Sequence, residues 1–326
     1  MPLQWNDKVF GVKEENFEAL ALEVFRFQAE NNPVYAEFLR ALRVDPASVN
    51  QLTAIPFLPV RFFKSHEIKT TAFEPQAVFE SSGTTGSVSS RHLVKDLSLY
   101  EESFTRGFEL FYGPVNKYCI IGLLPSYLER TNSSLVYMVD KLIGLSEHPQ
   151  SGFYLHEFEQ LAVVLQELEK RKQPILLIGV TFALLDFAEK FSFPFQHTIV
   201  METGGMKGRR EEMIRAEVHD ILEKAFNLPV IHSEYGMTEL LSQAWSKGEG
   251  KFNCPPWMKV LMRDDEDPFV IKNAGTGTIN IIDLANIWSC SFIATDDVGK
   301  LNADGSFEVL GRVDGSDLRG CSLMVV

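Results

Sequence analysis

The sequence of 326 residues carries a formal net charge of −13, with 45% hydrophobic and 23% charged residues. This composition is typical of a folded protein, and the acidic balance argues against a nucleic-acid partner because a phosphate backbone would be repelled. No uninterrupted apolar run reaches the ~18 residues of a membrane span, and the amino-terminal residues lack the apolar core of a signal peptide, so we expect a cytoplasmic protein without a membrane span. The oligomeric state stays open.

Helical periodicity dominates the first part of the chain, and we expect residues 1–75 to form a helical segment packed on the core. Apolar residues recur at helical spacing from Glu14 to about Leu42, which predicts two amphipathic helices. The next stretch, "LTAIPFLPVRFFKSHEIKT" (residues 52–70), contains several prolines but is too apolar for a solvated linker. We therefore expect it to pack on the body of the protein.

Short apolar runs alternate with helical patterns in the core, which we expect to span residues 76–310. The strand-like runs are "KYCIIGLLP", "PILLIGV", "HTIVMETGG" and "PVIHSEYG", and the helical stretches between them are "LAVVLQELEKRK", "FALLDFAEKF" and "RREEMIRAEVHDILEKAF". This alternation predicts an α/β fold with a mostly parallel sheet wrapped by helices, where ligands bind beyond the carboxyl ends of the strands. From about Trp257, β-type runs and Gly/Asp turns predict a smaller antiparallel region, and residues 311–326 are expected to form a short tail.

One loop of this core, "SSGTTGS" (residues 81–87), consists entirely of Ser, Thr and Gly. Its glycines at 83 and 86 let the backbone approach an anion closely, and its hydroxyl groups can donate to phosphate oxygens, so the loop is a candidate phosphate cradle. The lysine of the common Gly-x-x-x-x-Gly-Lys-Ser/Thr nucleotide loop is absent. By composition alone, an ordinary exposed turn is the commoner explanation.

Four segments, in order, resemble signatures of the adenylate-forming superfamily, which comprises the acyl-CoA synthetases and their relatives. They are "SSGTTGS", "EYGMTE" (234–239), "TDDVGK" (295–300) and "GRVDGSDLRG" (311–320). Within that superfamily, "LLPSYLER", "METGGMKGRR" and the final "RGCSLMVV" resemble the acyl-protein synthetase (LuxE-type) family, which is related to the phenylacetate-CoA ligases. The resemblance implies the large-domain fold of adenylate-forming enzymes, with parallel-type sheets wrapped by helices plus a small β region.

The resemblance also implies roles for individual residues, with ATP and Mg²⁺ as cofactors. Thr238 would contact the α-phosphate, and Glu239 would hold Mg²⁺, a hard cation that prefers carboxylate and phosphate oxygens. Asp297 would accept hydrogen bonds from the ribose hydroxyls, with Arg312 nearby. His232 would contact the acyl-adenylate, although a structural histidine fits its position equally well. The other implied nucleotide-binding residues are Ser82, Gly83, Thr84, Thr85 and Gly86 around the phosphates, Gly204 and Gly205 beside the adenine, and Tyr235 and Gly236 in the nucleotide and carboxylate pocket.

The carboxyl-terminal part departs from the CoA-forming members of the superfamily. Those members continue into a mobile domain whose lysine assists adenylation, whereas this sequence ends at residue 326 and has no lysine after Lys300. We therefore expect the mobile domain to be missing or vestigial. The loop also lacks the usual Pro-Lys after Gly86, so a cationic role there would fall to Arg91 or His92.

Cys321 matches the cysteine that takes the acyl group from acyl-AMP in the acyl-protein synthetases. A thiolate is a strong nucleophile, and the thioester that it forms stays reactive enough to be passed on. A buried thiol in a terminal strand is the alternative. The other cysteines are expected to be packed thiols: Cys119, Cys254 and Cys290.

The function implied by the resemblance is that of an ATP-dependent acyl-protein synthetase. It would activate a fatty acid as acyl-AMP and transfer the acyl group to a cysteine thiol as a thioester, for delivery to a partner such as an acyl reductase or an acyl carrier. Two alternatives stay open. An acyl- or aryl-CoA ligase would transfer the acyl group to CoA, and a non-catalytic nucleotide-binding protein would bind ATP without exchanging pyrophosphate.

Overall fold

The computed structural model describes residues 3–81, 88–125, 132–155, 157–204, 213–264 and 266–313. The α-helices of this part are α1 (Leu3–Phe10), α2 (Glu14–Asn31), α3 (Pro33–Ala41), α4 (Phe62–Ser65), α5 (Leu97–Tyr112), α6 (Ser134–Ser146), α7 (Phe158–Lys170), α8 (Thr181–Lys190) and α9 (Arg215–Phe226). Its strands are β1 (Leu58–Pro59), β2 (Ala77–Glu80), β3 (Arg91–Val94), β4 (Cys119–Leu123), β5 (Gly152–Phe153), β6 (Ile175–Val180), β7 (Thr198–Thr203), β8 (His232–Tyr235), β9 (Ala244–Ser246), β10 (Lys251–Asn253), β11 (Met258–Arg263), β12 (Ile271–Lys272), β13 (Gly275–Asp283), β14 (Phe292–Leu301) and β15 (Phe307–Arg312).

The described residues divide into two compact units. Unit 1 contains residues 3–104, 236–243 and 253–313, and unit 2 contains residues 105–235 and 244–252. None of the helices within the described ranges is long and apolar enough to cross a membrane. The expected domain boundaries near residues 75 and 310 stay a prediction.

Unit 1 is built around antiparallel strands in the order β12–β11–β13–β14–β15, with β1 added parallel to β14. These strands are the short Gly- and Asp-punctuated β runs of the sequence, so the antiparallel region predicted from about Trp257 is confirmed. Strand β13 is buried along most of its length, and Ile281 pairs with Ile293 of β14. A separate antiparallel hairpin, β2–β3, belongs to the same unit.

The amino-terminal helices pack on this β region. Asn32 caps α3 by accepting a hydrogen bond from Tyr35 N, and Pro33 occupies the first helical position, where its missing N–H costs nothing. The buried Gln28 of α2 donates to the carbonyl of Ile287 at 2.9 Å. The two helices predicted between Glu14 and Leu42 are therefore confirmed, whereas α1 was not predicted. The apolar stretch 52–70 packs as expected, with its buried side chains being Ile55, Phe57, Leu58, Val60, Phe63 and Ile68.

Unit 2 is built around strands in the order β10–β9–β8–β7–β6–β4–β5. The pairs from β8 through β5 are parallel, and β9 is antiparallel to β8. Strands β4 and β6 are buried at every position, which explains their continuous apolar sequences. Helix α7 buries one amphipathic face, formed by Phe158, Leu161, Ala162, Leu165 and Leu168. The predicted alternation of strands and helices is thus confirmed, and the carboxyl ends of β6, β7 and β8 lie along one edge of the sheet.

Candidate functional site

The candidate phosphate loop connects the two strands of the β2–β3 hairpin. These strands pair in register up to Glu80 and Arg91. Just beyond that pair, Ser81 N donates to Ser90 O at 3.0 Å, and Ser90 N donates to Ser81 Oγ at 2.8 Å. Both serines are buried. The predicted phosphate ligands, residues 82–86, lie outside the described residues, but the hairpin brings the two ends of their segment together.

His92 of β3 joins this hairpin to the segment that contains Thr238 and Glu239. The ring is fully buried, with Nδ1 at 2.8 Å from Thr238 O and Nε2 at 3.0 Å from Asn286 Oδ1. Asn286 in turn donates from Nδ2 to Glu239 O at 2.8 Å. Two segments that are far apart in the sequence and that the resemblance assigns to the phosphates and to Mg²⁺ are therefore connected within unit 1.

Asp283 holds the backbone immediately after Glu239. Its fully buried carboxylate accepts hydrogen bonds from Leu241 N at 2.8 Å, from Ser242 N at 3.0 Å and from Ser242 Oγ at 2.6 Å. It also accepts one from Ala285 N at 3.2 Å. Burial raises the pKa of Asp283 to about 6, although these four hydrogen bonds act in the opposite direction. The turn that follows the predicted metal ligand is thus fixed by one carboxylate.

Glu239 is itself fully buried. Burial lowers the pKa of the nearby His92 below its ordinary value, although the hydrogen bond to Thr238 O and the negative charge of Glu239 act in the opposite direction. A carboxylate is a ligand that Mg²⁺ takes together with phosphate oxygens. The side-chain chemistry at residue 239 therefore fits the predicted metal role, which stays a prediction.

Asp297 and Arg312 face each other across β14 and β15. They form a register pair, and Arg312 Nε lies 3.1 Å from Asp297 Oδ1. The neighbouring Asp296 contacts Arg61, whose Nε lies 3.2 Å from Asp296 Oδ2. The structure therefore brings the predicted pair together. The role of Asp297 toward the ribose stays a prediction.

The remaining described site predictions fall in or next to strands of unit 2. Gly204 follows β7 with a φ of +39°, a backbone conformation that favours glycine, whereas Gly205 lies outside the described residues. Tyr235 ends β8 with its ring buried 5.8 Å from that of Phe252. Gly236, which begins the neighbouring stretch of unit 1, is exposed.

His232 opens β8 and is half-buried. Its Nδ1 lies 3.3 Å from the hydroxyl oxygen of Tyr112. Burial lowers the pKa of His232 to about 4, and the positive charges of Lys247 and His219 add to this effect. The ring is therefore uncharged at neutral pH, which suits a packed histidine. Contact with an acyl-adenylate stays a prediction.

Two buried glutamates lie at the carboxyl ends of β7 and β8, where parallel sheets bind ligands. Glu234 accepts from Thr203 Oγ1 at 2.6 Å, and Glu202 accepts from Thr181 Oγ1 at 2.5 Å. Burial raises the pKa of Glu234 to about 7; the Thr203 bond opposes this change, and the charge of Glu202 adds to it. Arg215 Nε lies 3.9 Å from Glu202. The sequence motif that contains Glu234 did not reveal that this side chain is buried.

The cysteines of the described part are enclosed. Cys119 and Cys290 are buried, and the Cys254 residue is partly exposed although its thiol is covered. Burial raises the pKa of Cys119 to about 11 and those of Cys254 and Cys290 to about 12. The expectation of packed thiols is therefore confirmed. Cys321 lies outside the described residues.

Sequence reasoning also missed Asp283 and Asn286. The signal was present in "IIDLANIW" (residues 281–288), where an acid and an amide interrupt an apolar run. A polar side chain in such a run is buried, and buried polar groups are hydrogen-bonded to something. The pattern does not reveal the partner, because the backbone of residues 239–242 lies about forty residues upstream, as the Asp283 contacts show.

Comparisons with known proteins agree with this arrangement. The family model for acyl-protein synthetase, LuxE, matches residues 1–326. No curated protein matches the chain. Among solved structures, ATP-bound MatB from Rhodopseudomonas palustris has a TM-score of 0.55 at 15% identity, with 74% of this chain and 49% of that chain covered. An open conformation of 2-hydroxyisobutyryl-CoA ligase in complex with 2-HIB-AMP and CoA has a TM-score of 0.65 at 12% identity, with 93% and 70% covered.

This chain thus spans about half the length of the MatB chain. At these identities the structural likeness concerns the fold, and it agrees with the parallel and antiparallel strand sets described above. The match of the family model over the whole sequence settles the family. The chain belongs to the acyl-protein synthetase (LuxE) family and has the large-domain fold of the adenylate-forming enzymes.

Proposed function

We propose that this protein is an ATP- and Mg²⁺-dependent acyl-protein synthetase. It activates a long-chain fatty acid as acyl-AMP and transfers the acyl group to the thiol of Cys321, from which a partner acyl reductase collects it. The observation that carries the proposal is the buried set of hydrogen bonds that connects the β2–β3 hairpin through His92 to Thr238 and, through Asn286, to Glu239. Family membership and the ATP-bound MatB neighbour support the choice of nucleotide.

In the first step, a carboxylate oxygen of the fatty acid attacks the α-phosphorus of ATP. The bond from that phosphorus to the bridging oxygen breaks, and pyrophosphate leaves. The protein contributes mainly by positioning the two substrates and by stabilising the charge that develops on the phosphate oxygens. Residues 82–86 and Thr238 would donate to these oxygens, and Asp297 would hold the ribose. Mg²⁺, held by Glu239, would neutralise phosphate charge when bound.

In the second step, the thiolate of Cys321 attacks the acyl carbon and AMP leaves, while the thiol proton goes to solvent. This step needs an accessible thiol with a sufficient thiolate fraction at neutral pH. The thiols of Cys119, Cys254 and Cys290 are poor candidates, because burial raises their pKa values to about 11 or 12. This elimination supports Cys321 as the acceptor.

The test is acylation of the purified protein by palmitate with ATP and Mg²⁺, followed by intact mass spectrometry. We expect a gain of one acyl group that hydroxylamine removes and that requires ATP. Cys321→Ser should abolish the adduct, whereas Cys254→Ser, the matched control, should retain it. An adduct that persists in Cys321→Ser, or an unchanged mass with acids of every chain length, would contradict the proposal.

An acyl-CoA ligase activity is the second candidate, because the similar 2-hydroxyisobutyryl-CoA ligase, of which 70% is covered, was solved with CoA. That activity would release AMP in proportion to added CoA and would yield free acyl-CoA. Cys321→Ser would then leave the rate unchanged. Acid-dependent exchange of pyrophosphate into ATP distinguishes both candidates from a non-catalytic nucleotide-binding protein.

A further inference from the structure

The side chains of His92 and Asn286 belong to one buried set of hydrogen bonds whose donors can be counted. Asn286 Nδ2 donates to Glu239 O at 2.8 Å and to Cys290 O at 3.0 Å, which uses both amide hydrogens. Asn286 Oδ1 is then an acceptor, and it faces His92 Nε2. Thr238 O, also an acceptor, faces His92 Nδ1. Each ring nitrogen therefore faces an acceptor, and an uncharged imidazole, which carries one N–H, donates to one of them at a time.

The surroundings leave this set little freedom. His92 and Asn286 are both fully buried, and the ring of Phe63 meets the imidazole edge-on with the centroids 5.9 Å apart. His92 pairs with Phe79 in the hairpin, and its neighbours along the chain lead to Ser90 at the neck of the loop. Any movement of the hairpin relative to residues 238–239 would break buried hydrogen bonds, which is costly.

We propose that His92 is a positioning residue for adenylation, which ties the phosphate-loop hairpin to the backbone of Thr238 through Nδ1 and to the backbone of Glu239 through Asn286. The inference rests on the proposed function in that these segments bind ATP and Mg²⁺. His92 does not touch the substrates, because its ring is enclosed and both nitrogens are engaged within the protein. It connects strand β3, which begins just after Ser90, to the backbone at Thr238.

Two shape-conserving variants separate the two bonds. In His92→Asn the amide nitrogen takes the place of Nδ1, so the bond to Thr238 O is kept and the contact with Asn286 is lost. In His92→Gln the amide nitrogen takes the place of Nε2, so the bond to Thr238 O is lost. His66→Asn is the matched control, because His66 is an exposed histidine of the same unit.

Amide hydrogen exchange of the protein without ligands tests the tie directly. We expect faster exchange for the peptide that covers residues 236–243 in His92→Gln, a smaller increase in His92→Asn and none in His66→Asn. Unchanged exchange in both His92 variants would overturn the inference. If His92→Gln does not fold, the comparison of His92→Asn with His66→Asn decides the question.

Kinetics of palmitate-dependent pyrophosphate exchange test the consequence for catalysis. Loss of a supporting residue behind metal and substrate ligands typically costs about 10- to 100-fold, so we expect His92→Gln to lower kcat/KM for ATP and to raise the half-saturating Mg²⁺ concentration by such a factor. The KM for palmitate should stay within about threefold of wild type, because His92 contacts Thr238, Asn286 and Phe63, none of which is assigned to the acid. Equal losses for ATP and palmitate would contradict a positioning role toward the phosphates. Absence of exchange in the wild type with every acid would contradict the proposed function, and the hydrogen-exchange comparison would still decide the role of His92.

Discussion

Replacement of Glu234 by Gln is expected to change how stability depends on pH. Glu234 lies at the end of β8 with its carboxyl group buried, and the hydroxyl of Thr203 donates a hydrogen bond to its Oε2 at 2.6 Å. Glutamine keeps the shape and a carbonyl oxygen for this bond, but it carries no titratable group. The substitution therefore imitates the protonated form of Glu234 at every pH.

The magnitude follows from the pKa of Glu234, which burial raises from 4.5 to about 7. Because the folded state holds this proton more tightly than the unfolded state, the associated stability is fully present below pH ~4.5 and is lost as the pH rises through about 7. At roughly 1.4 kcal/mol per pH unit, the whole effect is about 3 kcal/mol. About 2 kcal/mol of it is lost between about pH 5.5 and about pH 8.5.

Urea unfolding at several pH values in this range, followed by tryptophan fluorescence and circular dichroism, measures the effect. The free energy of unfolding of Glu234→Gln minus that of wild type should increase by about 2 kcal/mol from about pH 5.5 to about pH 8.5, because only the wild type loses stability over this range. Glu167→Gln, at an exposed position of α7, serves as control and should run parallel to wild type. Parallel curves for wild type and Glu234→Gln would refute a raised pKa at this position.

Two further substitutions address unit 1. Asp283→Asn replaces the oxygen that accepts from Leu241 N and Ser242 N with an amide nitrogen, which cannot accept. The two unsatisfied donors should lower the free energy of unfolding, measured by urea titration, by about 2–5 kcal/mol. Asp45→Asn is the surface control, because asparagine keeps a side-chain oxygen for the hydrogen bond that Asp45 accepts from Ala47 N. It should cost less than about 0.5 kcal/mol, and a similar loss in both variants would contradict the argument. Asp297→Asn should raise the KM for ATP in pyrophosphate exchange about tenfold without changing that for palmitate, because only the nucleotide side loses a charged acceptor. An unchanged KM for ATP would remove Asp297 from the ribose site.

Sequence periodicity predicted the secondary structure correctly where it depends on residues close together in the chain. Short continuous apolar runs predicted the strands β4, β6, β7 and β8. Apolar residues that recur every three or four positions predicted the helices between them. Helix α1 escaped prediction because it has only eight residues, half of them polar, and a helix this short depends on tertiary contacts for its stability. Propensity decides little for so short a helix.

At the candidate site, too, the motifs predicted residue chemistry, whereas the contacts between residues came from the structure. The chemistry of Thr238, Glu239, Asp297 and Arg312 could be assigned from their motifs, and the structure adds that the last two form a cross-strand pair. The sequence did not reveal that Glu234, inside one of these motifs, is buried beside a second carboxyl group. Its pKa depends on desolvation and on the charge of Glu202, neither of which is a property of the motif.

The amino-acid sequence by itself determined the α/β alternation, the antiparallel carboxyl-terminal region and the residue types that we propose for an ATP site. Only the tertiary structure decided that His92 reaches Thr238, 146 positions away, and that Asp283 holds the turn after Glu239. The physical reason is that helix and strand patterns arise from neighbours in the chain. The partner of a buried polar group, by contrast, is whichever donor or acceptor the completed fold leaves beside it.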